Sequence, residues 1–377
     1  MRIAVLGADG YLGWPTCMKL ASEGHTVLAV DNLIKRQWER YCEVQPLWNI
    51  PYASQRVETW NKNESSRIYY VYIDVALDYE HLCNALQEFN IDTIIHYAEQ
   101  PSAPFSHMNR RKCLETQTNN IVGTLNLIWA VREVDPSIHI IKLGTMGEYG
   151  TPDIDIEEGW LDVEHKGRSD RMLYPKKPGS WYHASKVHDS HNLEFACRAW
   201  GLRVTDLNQG IVYGAHTSQT WLRPEYNTSF HYDAIFGTVI NRFLCQAAVG
   251  YPLTVYGDGS QTRGYLNIID TLECVTLAAE TPAEVGEFRV FNQSTEQFSV
   301  LQLADRIADM TKTKRLHIDN PRIEQLGHYY KAANSALPAL GLKPTLLTDK
   351  RLEQMYKVIR PHIGGINPDL FKPKIRW

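Results

Sequence analysis

The first two thirds of the chain alternate short apolar runs with longer stretches of helical periodicity. Ile3-Ala4-Val5-Leu6 is an apolar run ended by glycine, and residues 26–31, 68–74, 93–96 and 139–143 repeat the pattern. Helical spacing is clearest over residues 120–134 and 180–200. Strands that are apolar throughout, separated by helices, predict an α/β fold with a parallel sheet covered on both faces. Ligands bind such sheets at the carboxyl ends of the strands. Asp31, Asp74, Glu99 and Thr145 all fall at those ends. After about residue 208 the pattern becomes irregular. Strand-like residues 253–256, a glycine turn and strand-like residues 265–269 precede helical patterns near 272–280 and 300–311. Residues 35–67 form an insertion before the third strand and carry Trp38, Trp48 and Trp60. It reads as a packed surface subdomain or oligomer contact, or as a lid over a ligand.

The first glycine turn brings in chemistry. Gly7, Gly10 and Gly13 follow a strand and open a helix that runs to about Glu23 and stops at Gly24. The first glycine permits a tight turn, the second lets backbone approach a pyrophosphate, and the third lets the helix pack on the sheet. The helix N-terminus offers free N–H groups to phosphates. Asp31, at the end of the second strand, is placed to accept from both adenosine ribose hydroxyls and to repel a 2′-phosphate. This predicts a Rossmann-type doubly wound sheet binding NAD rather than NADP. Lys35 and Arg36 nearby act against that choice, unless they are simply solvated. Asp74 reads as a contact to the adenine edge or as a helix N-cap. The expected division is residues 1–208 for the NAD-binding domain, with later contributions from about 232–250 and 267–295. Residues 209–377 are then mainly a smaller, interleaved substrate domain.

A second constellation lies downstream. Ser180 reads as an N-cap and Gly201 as a stop, so Tyr182 and Lys186 share one helix face. The lysine ammonium is expected to lower the tyrosine pKa from about 10. The phenolate then serves as a general base toward an alcohol, with Thr145 holding the same oxygen. His183, His188 and His191 share the helix, but no cluster of partner ligands accompanies them, so no metal site is expected. Arg263, after the glycine turn of Tyr256-Gly-Asp-Gly-x-Gln-x-Arg263, and Arg322 offer cations for a diphosphate. Each alone reads equally as a surface ion pair.

The bulk numbers add exclusions. Hydrophobic content of 44% and a net charge of −4 describe an ordinary globular protein with no reason to bind nucleic acid or a membrane surface. The seven scattered cysteines suggest reduced thiols and a cytoplasmic setting. Met1-Arg2 runs directly into the first strand, and no apolar run approaches the ~18 residues of a membrane span.

The glycine motif, Thr145, Tyr182-x-x-x-Lys186 and the Tyr256–Arg263 segment resemble the extended short-chain dehydrogenases that remodel nucleotide sugars. The resemblance covers nearly the whole chain. Longer segments, among them Glu99-Gln-x-Ser-Ala-Pro104, Lys142–Pro152, Tyr182–Asn192, Thr205–Gly210 and Phe291–Ser299, are similar to the branch that joins sulfite to UDP-glucose. The resemblance implies oxidation at carbon 4 by bound NAD, loss of water across carbons 5 and 6, sulfite addition, and return of the hydride. It implies cofactor contacts at Gly7, Asp9, Gly10, Tyr11, Leu12, Gly13, Asp31, Asn32, Arg36, Asp74, Val75, Asn119, Tyr182, Lys186, Gln209 and Val212. It implies substrate contacts at Gln100, Thr145, Gln209, Thr238, Arg242, Tyr256, Arg263 and Arg322, in a homodimer or higher homo-oligomer. Typical 4,6-dehydratases of the group follow the catalytic Thr with an Asp-Glu pair. This chain has Met146 and Gly147 there. Glu148 and His183 are therefore the expected acid–base pair for elimination, with a buried structural carboxylate the alternative for Glu148. A 4-epimerase or a 4,6-dehydratase would use the same redox residues, and a non-enzymatic NAD-binding sensor would usually lose Tyr182 or Lys186.

Overall fold

The structure, a computed structural model, describes residues 1–324 and 328–377. Seven strands form the central sheet in the order β12-β8-β5-β4-β1-β2-β3. Their ranges are β1 Arg2–Leu6, β2 Thr26–Asp31, β3 Ile68–Tyr72, β4 Thr93–His96, β5 His139–Thr145, β8 Arg203–Gln209 and β12 Phe288–Gln293. Every neighbouring pair is parallel. Side chains alternate between faces along each strand, so Ile3 and Val5 enter one core and Ala4 and Leu6 the other. Both cores exclude water, which is why β1, β2 and β4 are built around unbroken apolar runs.

Helices supply the other half of each core. On one face lie α1 (Gly13–Ser22), α3 (Ala53–Asn63) and α10 (Ile268–Glu280). On the other lie α4 (Tyr79–Glu88), α7 (Gly123–Val134) and α8 (Trp181–Trp200). The strand order reverses between β1 and β4. The loops that follow these two strands therefore flank a crevice at the switch point.

The remaining strands build the second part of the molecule. A hairpin, β6 (Trp160–His165) and β7 (Arg168–Leu173), follows β5. Strands β9 (Ile211–Tyr213), β11 (Thr262–Asn267) and β13 (Glu296–Ser299) form a three-stranded sheet, and β10 (Leu253–Tyr256) pairs with β14 (Arg315–Ile318). Their core includes α9 (Val239–Ala248) and α11 (Val300–Thr311), and Trp48 of the insertion packs into it. No helix among the described residues is long and apolar enough to cross a membrane.

Several element boundaries differ from the sequence expectation. The strand expected at 265–269 lies at 262–267, because the Asn267 side chain caps α10 by accepting from Ile269 N–H. The third strand stops at Tyr72, two residues before Asp74. The helix expected from residue 120 begins with a wider turn over Thr118–Val122. There Asn120 is fully buried and donates to Gln100 O and Ser185 Oγ. The insertion folds as α2 (Ile34–Tyr41) and α3, and all three of its tryptophans are buried. It holds the glycine loop from outside: Arg56, fully buried, binds the Asp9 carboxylate and lies 4.6 Å over the Trp14 ring.

Candidate active site

The crevice at the switch point is lined by Gly7, Asp9, Gly10, Asp31, Asn32, Lys35, Val75, Glu99 and Asn119, among others. A Cβ built on Gly13 would lie 2.0 Å from Gly7 O, so only glycine lets α1 start this close to the turn. A Cβ on Gly10 would meet only the Gly7 carbonyl, at 3.3 Å, and otherwise faces open space. That leaves bare backbone for a pyrophosphate, and the donor set fits a dinucleotide. The Asp31 carboxylate accepts from Asp9 N–H and Leu33 N–H. Burial and the neighbouring Asp9 charge push its pKa up to about 6.

Five expected cofactor contacts are placed differently. Arg36 spends its guanidinium on the Asp9 carboxylate and on the carbonyls of Ile50 and Pro51. Lys35, although it lines the crevice, pairs with Glu39 and His231. Neither cation is left over to neutralise a 2′-phosphate. Asp74 accepts from Asn32 Nδ2 and Ala76 N–H, which fixes the loop rather than lining the crevice, and the N-cap of the next helix is Asp78. Leu12 and Val212 are buried together in a small apolar cluster with Leu266 and Ile268. Tyr11 donates to Gly214 O, tying the loop to the second part of the molecule.

A cavity of about 560 Å³ opens beside the crevice. Thr145, Met146, Gly147, Tyr182, His183 and Gln209 form one end. Thr238, Arg242, Tyr256, Gln261, Arg263, Tyr265, Arg322 and Tyr330 line the rest. Thr145 ends β5, and Tyr182 and His183 begin α8 under the Ser180 cap, whose Oγ accepts from His183 N–H. Among the described residues, Gln209 Oε1, Thr238 Oγ1, Arg242 Nε, Gln261 Oε1, Tyr265 OH and Tyr330 OH are buried without a hydrogen-bond partner. Such groups are costly unless a ligand meets them. Arg263 pairs with Glu324, and desolvation and the like charge of Arg263 draw Arg322 down to about 10. A polyanion between the two guanidiniums would relieve that strain. Gln100 is not at this wall. Its side chain is fully buried and accepts from Ser102 N–H.

Glu148 does not face the cavity either. It is fully buried, and its carboxylate is held by Lys142, Lys176, Ser190 and the Thr145 N–H. The two ammonium groups outweigh desolvation and keep its pKa down at about 2. Lys142 also contacts Asp206 at 3.3 Å, so β5, β8 and α8 are joined by a buried charge cluster. Sequence reasoning missed this cluster. Its signal was present in part: Lys142 is a charge inside the apolar run Ile140-Ile141-Lys142-Leu143 of a central strand.

His183 does face the cavity. Its ring lies against Gly147, where a Cβ would sit 2.3 Å from Nε2. Desolvation and the cations Arg322 and Arg263 hold its pKa down at about 3, so the imidazole is neutral. Tyr182 is displaced in the direction opposite to expectation. Desolvation, then the Glu99 and Glu148 carboxylates, raise its phenol above the ordinary value. Lys186 is engaged elsewhere: its ammonium donates to Leu143 O and pairs with Glu99.

Comparison with known proteins now adds to the geometry. The description of the NAD dependent epimerase/dehydratase family matches residues 3–293. The chain is 45% identical to the chloroplastic UDP-sulfoquinovose synthase of Spinacia oleracea, over 100% of this chain and 79% of that one. It is 38% identical to the UDP-sulfoquinovose synthase of Sulfolobus acidocaldarius, over 100% and 98% of the respective chains. Among solved structures it is similar to a UDP-glucuronic acid 4-epimerase variant from Bacillus cereus in complex with UDP-4-deoxy-4-fluoro-glucuronic acid and NAD. There the TM-score is 0.71 at 22% identity, covering 96% of this chain and 99% of that one.

Proposed function

The chain belongs to the NAD dependent epimerase/dehydratase family, and from that premise we propose that it converts UDP-glucose and sulfite into UDP-sulfoquinovose, the product named in two relatives that match the whole of this chain. One observation carries the reading: Gly147, one of the two residues that replace the Asp-Glu pair of 4,6-dehydratases, makes room for His183, which stands in the cavity beside Tyr182 with a neutral imidazole.

Gly7, Asp9, Gly10, Asp31, Asn32 and Asn119 hold NAD in the crevice, with Lys186 and Glu99 at its inner end. Bound there, NAD would supply a hydride acceptor for carbon 4 and, once reduced, the donor that restores it. Arg263, Arg322 and Arg242 hold the diphosphate, and Gln209, Thr238 and Tyr256 complete the sugar-nucleotide contacts. Tyr182 takes the proton of the carbon 4 hydroxyl, which Thr145 orients, and gives it back when the ketone is reduced. The ketone acidifies the carbon 5 hydrogen. His183 removes that proton and passes it to the carbon 6 hydroxyl, which leaves as water. Sulfur of hydrogen sulfite attacks carbon 6 of the unsaturated ketone, and its proton returns to carbon 5. Glu148 is a positioning residue for the Thr145 turn. The chain is expected to work as a homodimer or higher homo-oligomer.

The test is incubation with UDP-glucose and sulfite followed by mass spectrometry. The product should gain the mass of one SO2, and only when sulfite is present. Loss of water without sulfite dependence would indicate a dehydratase. Unchanged mass with a UDP-galactose peak would indicate an epimerase.

A further inference from the structure

Residues 371–377 run along the wall of the substrate cavity and are fastened at two points. At the first, Phe371 is fully buried against the rings of Tyr232 and Tyr251, at 5.8 and 5.2 Å, and Leu370 O accepts from Ala234 N–H. At the second, Trp377 N–H donates to Pro321 O at 2.7 Å, and Trp377 O accepts from Ile323 N–H at 2.5 Å. Between them burial alternates with the period of extended backbone. Pro373, Ile375 and Trp377 are half-buried, while Lys372, Lys374 and Arg376 are exposed. The two hydrogen bonds at Trp377 fall on either side of Arg322, so backbone register alone sets the two residues opposite each other.

The Arg322 guanidinium lies 4.3 Å from the Trp377 ring centroid, and both residues line the cavity. The other hold on this guanidinium is weak. Glu324 stands 3.5 Å from its Nε, but the same carboxylate oxygen lies nearer to Arg263, at 2.5 Å. An arginine on a flexible stem loses side-chain freedom when it grips a ligand. A guanidinium stacked on an indole has lost that freedom beforehand. Its face is occupied, and its N–H edges stay free for bidentate contact with phosphate oxygens.

We propose that Trp377 is a positioning residue that holds Arg322 for the diphosphate of the nucleotide sugar, and that residues 371–377 form a strap completing that site. The inference rests on the reading of Arg322 as a diphosphate contact.

The experiment titrates UDP into the purified, NAD-loaded full chain by calorimetry. Trp377→Ala should weaken UDP binding about 5- to 30-fold, the range of a partly to fully desolvated cation–π contact. Trp377→Phe, which keeps an aromatic face, should recover most of that loss. Trp377→Leu, which keeps apolar bulk without one, should not. In an Arg322→Ala background, Trp377→Ala should cost less than about a further twofold, because the two side chains act as one unit. The Michaelis constant for UDP-glucose should rise in Trp377→Ala by the same factor as the UDP dissociation constant, with the turnover number and the constant for sulfite unchanged. Native UDP affinity in Trp377→Ala would overturn the proposal, as would full recovery by Trp377→Leu or independent losses in the double variant. The reading beneath it fails separately: unchanged UDP affinity in Arg322→Ala would remove that arginine from the diphosphate site, and the strap's role with it.

Discussion

A side chain at position 147 would collide with the His183 ring, and that collision gives a sharp test of the elimination step. Gly147→Ala places a Cβ where Nε2 now approaches to 2.3 Å. The imidazole must swing away, while Tyr182 and Lys186, a turn further on, keep their backbone. Hydride transfer from carbon 4, read as NADH absorbance on mixing with UDP-glucose, should therefore persist. Exchange of the carbon 5 hydrogen with deuterated solvent should fall by about 10²–10⁴-fold, the loss typical of a misplaced proton-transfer group. His183→Ala should match it. Unchanged exchange in both variants would remove His183 from the chemistry. Conversely, Tyr182→Phe should lose hydride transfer by a similar factor while still binding NAD. At this scale the spacing Tyr182-x-x-x-Lys186 was legible, because a helix fixes which residues are neighbours. The direction of the tyrosine shift was not. It depends first on burial and then on Glu99 and Glu148, which only the folded chain brings around the phenol.

At the scale of elements, the buried cluster that joins β5, β8 and α8 should govern acid stability. Glu148 falls from an ordinary 4.5 to about 2 in the folded protein. A depressed carboxyl contributes stability above its unfolded pKa and loses it as pH falls through the folded one, here from 4.5 toward 2. His96, His139 and His183 are buried neutral, each at about 3 against an ordinary 6.5. Their contribution is present above 6.5 and is lost as pH falls toward 3. These groups draw unfolding free energy, measured in denaturant, down below about pH 6.5 and more steeply below about 4.5, against the opposite pull of Asp31 and Asp189, whose raised carboxyls favour the fold as they protonate. Glu148→Gln should cost about 3–5 kcal/mol at neutral pH by leaving Lys142 and Lys176 short of an anion. It should also flatten the curve below 4.5. A variant as stable as the native protein at pH 7 would mean the cluster is solvated. Strand ends and caps were legible where one residue settles them, as Ser180 and Gly201 do for α8. The shift of β11 was not. Its apolar run continues into α10, and only the Asn267 cap decides where strand gives way to helix.

At the scale of the whole molecule, the parallel sheet followed from the alternation of apolar runs and helices. The walls of the substrate cavity did not follow so directly. They come from stretches scattered along the whole chain, including the insertion through Cys42 and Val44 and the last residues through Lys374 and Trp377. Trp377 stacks 4.3 Å from the Arg322 guanidinium, and its backbone pairs with Pro321 and Ile323. No local pattern announces such a contact, since neither partner lies in a regular element. The outer surface is easier to argue from. Val122, Leu125 and Trp129 stand on one face of the helix ending in α7, and Phe195 stands on the solvent face of α8, all between 36% and 52% exposed. Trp129 and Phe195 both pack against Trp200, so the two helices present one apolar patch. Contiguous patches of this kind on a globular protein mark interaction surfaces. The homodimer proposed above would cover this patch with the same surface of a second copy. Trp129→Asp with Phe195→Asp should therefore convert a dimer into a monomer by light scattering after gel filtration. Neither residue lines the crevice or the cavity, so NAD should still bind. A native protein already monomeric at about 10 μM, where an interface of about 1,600 Å² would hold, would defeat this assignment.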